Sequence, residues 1–358
     1  MAVDVPTQKV SEVITTFRPC KRFRPDDSKT HVTSLDYDDS GELAIICRSD
    51  DTLQIYNCRE GKHAKDLKSQ KYGAHLARFT HQSSAVLYAS TKVDDGIRYL
   101  STHDNSYIRY FRGHTAPVTC LSMSPSDDSF ASCSLDNTVR LWDIRSPNMR
   151  GQLNITSPYF AVYDPSATVL AIASPNTHAV LLYDSKNFEK PPFANFDLRE
   201  MEERFAGNNG SGIGRNWSKI EFSNDGKSLL VATTGAGHFI LDAFDGSLKH
   251  FCARKGGRSE RRAPGETNSS RPVGQGDACF SPDGNYLIGG SGLDDGLVAW
   301  DISQSSTSDH VLQPFTEMPV PQQAQGRVEI VGYNPKHNML TTADRDILLW
   351  LPDPELAP

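Results

Sequence analysis

Seven times along the chain a bulky apolar residue stands just before a turn, and a second bulky residue follows it at a nearly fixed distance. The first column reads Tyr37, Phe79, Met123, Tyr163, Phe222, Phe280 and Tyr333, and the second reads Tyr56, Leu100, Trp142, Tyr183, Leu241, Trp300 and Trp350. Within each pair the separation stays between 17 and 21 residues, whereas the stretch from one pair to the next varies from 21 to 39. Extra length therefore falls in one kind of connection, and the unit itself is constrained. A chain with such a period must be read as a repeat before its elements are assigned singly.

The clearest unit runs from Gly113 and His114 to Trp142 and Asp143 and holds short β-type runs parted by turn residues. No run is long enough to make a core alone. Four short strands in a unit of about 43 residues are the pattern of a WD40 propeller blade. The expected fold is all-β: one seven-bladed propeller over 10–352, between a flexible N-terminus at 1–9 and a tail at 353–358. Insertions are expected at about 199–215, 254–276 and 317–326, all on the face carrying the connections between blades and the turns between second and third strands. The last unit, 327–351, supplies only three strands, and Glu12 to Arg18 is left over as a β-type run. That run is expected to become the fourth strand of the last blade, removing an open edge.

Composition narrows the function. Hydrophobic residues make up 37% and charged residues 23%, which fits neither a disordered polymer nor a membrane protein. The longest apolar runs, such as Val169 to Ala173, fall far short of the roughly 18 residues a spanning helix needs. The N-terminal residues have neither a basic nor an apolar segment of secretory type, which favours an intracellular setting. Against that setting, the Asn-x-Ser/Thr matches at Asn154, Asn209, Asn216 and Asn268 read as chance. A net charge of -7 argues against direct nucleic-acid binding over the whole surface. The seven cysteines form no C-x-x-C pair, so neither a zinc site nor a disulfide framework is signalled. No cofactor or metal is expected.

In the third unit His114, Ser132 or Ser134, Asp136 and Trp142 stand where WD40 blades build a buried hydrogen-bond relay. An unpartnered indole, hydroxyl or imidazole there would cost about 1 to 3 kcal/mol. A hydrolase triad is the competing reading, but no nucleophile elbow surrounds either serine. Asp50, Asp94, Asp294 and Asp344 match the turn aspartate of other units. The fourth and fifth units have Thr177 and a glycine turn at 235–237 instead, so those blades should be less rigidly tied. The glycine-rich stretch 207–214 has no Gly-Lys-Ser/Thr and reads as an insertion, not a phosphate loop. Arg254, Lys255, Arg258, Arg261 and Arg262 make a basic loop, either simply solvated or a salt-sensitive tether to nucleic acid, a phosphorylated tail or an acidic partner. Lys21, Arg22 and Arg24 carry the same ambiguity.

The segment from Lys71-Tyr72-Gly73 through Arg78-Phe79-Thr80-His81 and Val93–Ser101 to His103–His114 is more particular than a generic repeat. It closely resembles the WD40 subunit shared by the COMPASS histone lysine methyltransferase and the RNA polymerase II termination machinery. The resemblance continues through Leu121–Pro125, Leu141–Pro147, Phe222–Lys227, Asp242-Ala243-Phe244 and Trp350–Pro352, and has no counterpart for 254–276. It implies a nuclear, noncatalytic adaptor that binds a short segment of a histone lysine methyltransferase subunit. A cleavage and polyadenylation subunit or a phosphatase scaffold subunit is the second partner implied, and the phosphorylated C-terminal tail of RNA polymerase II a third. Tyr72, Arg78, His81, Asp104, Asn105, Tyr107 and Arg112 are the candidate contacts, because aromatic and polar groups crowd there beyond what strands require; each could instead face a strand or cap a turn. Trp142-Asp143-Ile144-Arg145 also matches the W-D-x-R docking pattern of cullin-type ubiquitin ligase substrate receptors, the alternative function.

Overall fold

Each repeat folds into an antiparallel sheet whose strands follow chain order from the centre outward. In blade 3 these are Val118–Met123, Ser129–Ser134, Thr138–Asp143 and Met149–Asn154, paired in that order. The computed structural model describes residues 8–25, 27, 29–205, 217–254, 278–290, 296–305, 309–319 and 328–356. Over these residues there are seven sheets, six of four strands and one of five. Blades 1 to 4 span 32–68, 75–111, 118–154 and 160–197, blade 5 lies in 217–253, blade 6 in 278–319 and blade 7 in 330–352. Every first-column residue ends an innermost strand, and every second-column residue is buried in a third strand. The period in the sequence is thus the distance from the central channel, around one hairpin, to the wedge between neighbouring sheets.

Blade 7 is completed by the chain's other end. Strand Phe17–Phe23 runs antiparallel to Ile347–Pro352, from Phe17 opposite Pro352 to Phe23 opposite Ile347. The closing strand thus begins later than the expected Glu12–Arg18 run. Val10–Val13 is a helical turn instead, and Val13, Ile14 and Phe17 are buried at 0%, 2% and 0% exposure against blades 6 and 7. Val10, Val13 and Ile14 have the i, i+3, i+4 spacing of one helix face, a signal that outweighs their β-branched character.

The expected insertions are redistributed. The first begins with a helix, Arg199–Phe205, and 206–216 lie outside the described residues. Of the second, only Arg254 is described. The third starts too early in the sequence reading, because Thr316–Pro319 is the outer strand of blade 6. Extra length in that unit also lies earlier, between the third strand of blade 6 and its outer strand, hence on the opposite edge from the connections between blades. There Val311–Leu312 pairs in parallel with Phe251 and Cys252, covering the outer edge of blade 5.

Adjacent innermost strands belong to different sheets, so their edge groups need other partners. Side chains supply them. Ser34 Oγ and Asp36 Oδ2 accept from the backbone N–H of Ala77 and Phe79 at 3.0 and 2.8 Å. Thr119 Oγ1 donates to the Tyr159 carbonyl at 2.8 Å, and Glu221 Oε1 accepts from the Phe280 N–H at 3.3 Å. Polar residues on strands that look apolar at one end therefore join blade to blade around the channel.

His75, which opens the innermost strand of blade 2, is 5% exposed, and neither ring nitrogen has a partner among the described residues. Burial, aided by the nearby Arg78 charge, pushes its pKa from 6.5 down to about 3. Between those values the unfolded chain binds the proton and the folded chain does not, so acid favours unfolding. Against His75→Gln, the stability difference from urea titrations should be flat above pH 6.5 and turn against the wild type as pH falls toward about 3. A difference that stays flat throughout would show that His75 is not held neutral.

Candidate partner-binding surface

The His114, Ser132, Asp136 and Trp142 side chains form a continuous hydrogen-bonded chain. Trp142 Nε1 donates to Ser132 Oγ at 2.9 Å, Ser132 Oγ lies 2.7 Å from His114 Nε2, and His114 Nδ1 lies 2.9 Å from Asp136 Oδ2. Ser134 is outside this chain; its hydroxyl donates to the Ala116 carbonyl. Burial acts to raise the Asp136 carboxyl, but hydrogen bonds from Thr138, His114 and the Thr115 backbone outweigh it and bring its pKa to about 2. Burial also lowers the His114 pKa, against the pull of Asp136. A neutral imidazole donating from Nδ1 to an ionised Asp136 and accepting from Ser132 at Nε2 satisfies every member. The serine is buried and occupied by the indole, which makes it a strut rather than a nucleophile.

Blades 4 and 5 are held differently from the sequence expectation. Helix Arg199–Phe205 sends Glu202 inward, where its carboxylate meets His178 Nδ1 at 2.5 Å and accepts from the Trp217 indole. Arg254 is 4% exposed and donates to the carbonyls of Gly235 and Thr233, both at 2.8 Å. It ties down the glycine turn and is not a member of a solvated basic loop. Lys255, Arg258, Arg261 and Arg262 lie outside the described residues, as does Asp294.

The structure draws two of the seven contact candidates, Tyr72 and Tyr107, into one cluster, with Arg112 at its margin. Tyr72 sits on the connection between blades 1 and 2, where Gly73 turns with φ +71°, a conformation a side chain would strain. The Arg98 guanidinium lies 3.6 Å from the Tyr72 ring centroid, 5.1 Å from Tyr110 and 5.7 Å from Tyr107. Its Nε donates to Ser90 Oγ at 2.7 Å and its Nη2 to both Asp94 oxygens. Tyr88 joins Tyr107 hydroxyl to hydroxyl at 3.0 Å, and Arg112 stacks over Tyr110 at 5.7 Å. Arg98 is 2% exposed and pre-organises the ring planes around it, while Tyr110 and the adjacent Ile108 are 37% and 47% exposed. Rigid aromatics around a fixed cation form a surface suited to an extended peptide, because little side-chain entropy remains to be lost. Sequence reasoning missed Arg98 and Tyr110, which stand directly opposite each other on paired strands.

The other candidates go elsewhere. Arg78 faces the central channel, a cavity of about 440 Å³ lined from all seven innermost strands, and donates to the Ala77 carbonyl at 2.9 Å. Beside it, burial raises the Asp36 pKa to about 6, against the pull of Arg78. Across the channel Lys219 pairs with Glu221. His81 sits on the opposite edge, bridging Asp39 at 2.8 Å and the Ser124 carbonyl at 3.0 Å. Asp104 and Asn105 form the turn before the outer strand of blade 2, where Asp104 accepts from Ser106. Arg145 is engaged by Asp143 through two bonds, at 2.9 and 2.7 Å. Among the described residues no group of three or more His, Cys, Asp or Glu could hold a metal ion, and no helix is long and apolar enough to cross a membrane.

Seven radial sheets, a third-strand tryptophan relay and closure of the ring by both chain ends define a WD40-repeat β-propeller. The profile of the WD domain, G-beta repeat, matches residues 105–143. Over nearly its whole length the chain is similar to several proteins, among them the Set1 complex component swd2 of Schizosaccharomyces pombe (35% identity, 95% of this chain and 98% of the relative), WD repeat-containing protein 82 of Drosophila melanogaster (36%, 97% and 98%) and the COMPASS component SWD2 of Saccharomyces cerevisiae (34%, 94% and 96%). The chain belongs to the Swd2/WD repeat-containing protein 82 family.

Proposed function

We propose that this protein is a noncatalytic scaffold subunit of a nuclear Set1/COMPASS-type histone lysine methyltransferase complex. The observation that carries the reading is similarity along the whole chain to two relatives named as components of such complexes. The surface at Tyr72, Arg98, Tyr107 and Tyr110 receives a short segment of the methyltransferase subunit, and the remaining faces of the ring stay available to others. A termination, polyadenylation or phosphatase scaffold subunit and the phosphorylated polymerase tail are further partners under this reading.

Purification of the tagged full chain tests it: a methyltransferase subunit should be recovered in stoichiometric amount, and its absence would reject the proposal. The paired change Tyr72→Ala with Tyr110→Ala should lower that partner's affinity about tenfold or more, since Tyr and Arg dominate interface hot spots. An unchanged melting temperature with retained binding would move the contact elsewhere on the ring.

A further inference from the structure

The outer strand of each blade ends its sheet in a row of N–H and C=O groups that another strand can join unless something blunts the edge. Six of the seven edges are blunted or covered. Blade 1 ends in Lys62–Lys68, with Lys62, Lys65 and Lys68 spaced along it. In blade 3 Arg150 and Gly151 interrupt Met149–Asn154, and the Phe188 ring packs on Gly151. The outer strand of blade 4, Ala194–Asp197, has four residues, as does that of blade 6, which ends in Pro319. In blade 7 Pro19, Lys21 and Arg22 fall within Phe17–Phe23. Blade 5 is covered by Val311–Leu312.

Blade 2 is the exception. Its outer strand Tyr107–Phe111 reads Tyr-Ile-Arg-Tyr-Phe, a run rich in the side chains that favour strands. Its one charge, Arg109, is drawn away to the Ile144 carbonyl of blade 3. Ile108 and Tyr110 are exposed, and among the described residues no strand pairs with the outer edge.

Blade 5 shows what such an edge accepts. There the Phe251 N–H donates to the His310 carbonyl at 2.7 Å, so that amide points away from its own ladder. Phe251 stands opposite Phe239, two residues before the second-column Leu241, and a bulge follows. Tyr110 stands opposite Arg98, two residues before the second-column Leu100, and a bulge follows there too. Equivalent positions in equivalent ladders turn the same way, so the Tyr110 N–H also faces outward. A residue set opposite Tyr110 on an added strand would lie beside the rings that Arg98 holds. Asp94 already meets the Arg98 charge, which favours an apolar side chain there over an acidic one. We propose that the outer edge of blade 2 takes the methyltransferase segment as a fifth strand, joined main chain to main chain at Tyr110, through an extended run with a β-branched or aromatic residue at that position and no proline. This rests on the reading that the surface at Tyr72 and Tyr110 receives that segment, and it adds the means by which the segment is held.

Residue-resolved amide hydrogen exchange of the full chain, alone and bound to the methyltransferase subunit recovered with it, tests the edge. The Tyr110 amide should exchange about tenfold or more slowly in the complex than in the free chain. Tyr110→Pro, which removes that N–H, should bind the subunit about threefold to tenfold more weakly than Tyr110→Ala. Both variants lose the ring, so their difference isolates the main chain, and proline is tolerated where an edge N–H faces outward. Unchanged exchange in a complex that forms, or equal affinity of the two folded variants, overturns strand addition and leaves the partner reading in place. Protection already present in the free chain, as pairing of two copies at this edge would give, overturns it as well. Failure to recover the subunit rejects the partner reading and strand addition together. Should Tyr110→Pro not fold, the exchange comparison on the unaltered chain decides alone.

Discussion

A chain lacking residues 1–23 is expected to show no cooperative thermal transition under conditions where the full chain melts sharply. Three side chains in that segment, Val13, Ile14 and Phe17, are at most 2% exposed. Full burial of each is worth about 1.5–3 kcal/mol, so their loss alone approaches the 5–15 kcal/mol by which native domains are stable. The deletion also strips the ladder from Ile347–Pro352, leaving an open edge. Phe17→Ala separates the two effects: it keeps the strand and should cost about 3–5 kcal/mol. Calorimetry decides the matter, and a truncated chain that melts like the full one would mean the ring closes without this strand.

Glu202→Ala should be the most damaging single change outside the ring closure. The carboxylate is 5% exposed and joins His178 of blade 4 to Trp217 of blade 5. Removing it strands a half-buried imidazole and a buried indole together, and breaking such a pair costs about 3–5 kcal/mol. Glu202→Gln should lose less, because its amide oxygen still accepts from the indole. The stacking of Phe205 on Phe251, centroids 4.3 Å apart, should keep the helix docked in both variants. Denaturant midpoints read the difference directly. A loss under about 1 kcal/mol for the alanine variant would show that blades 4 and 5 rest on apolar packing alone.

Both predictions depend on features of unequal visibility in the sequence. The seven wedges were plain because first-column residues must end at the channel and second-column residues must fill the gap between sheets, which fixes their spacing. The closing strand was visible as a missing fourth strand, yet misplaced, because β-branched residues at 10–17 concealed a helical face. Glu202 left no signal, since a surface-type helix in an irregular connection does not announce that one carboxylate turns inward. The Val311–Leu312 addition was hidden for a related reason: the unit's surplus length looked like the other insertions, and only pairing reveals which edge it serves. At the candidate surface, Tyr72 and Tyr107 were found from local crowding. Arg98, which organises them, was passed over because one arginine within a strand looks ordinary until its neighbours across two ladders are known.

The seam in blade 7 also sets an order of events during synthesis. Cys20 bonds to the carbonyl of Leu349, 329 positions further along. The segment made first must therefore wait, with Phe17 unsheltered, until almost the whole polypeptide has left the ribosome. Six blades can pair locally as they emerge, but the ring locks only at the end, and contacts so distant in sequence form slowly. For that interval the newborn chain carries two mutually matching strand edges, and the edge of one molecule can capture that of another. Overproduced protein should accordingly yield exchanged dimers that share this seam, in proportion to how crowded the nascent chains are.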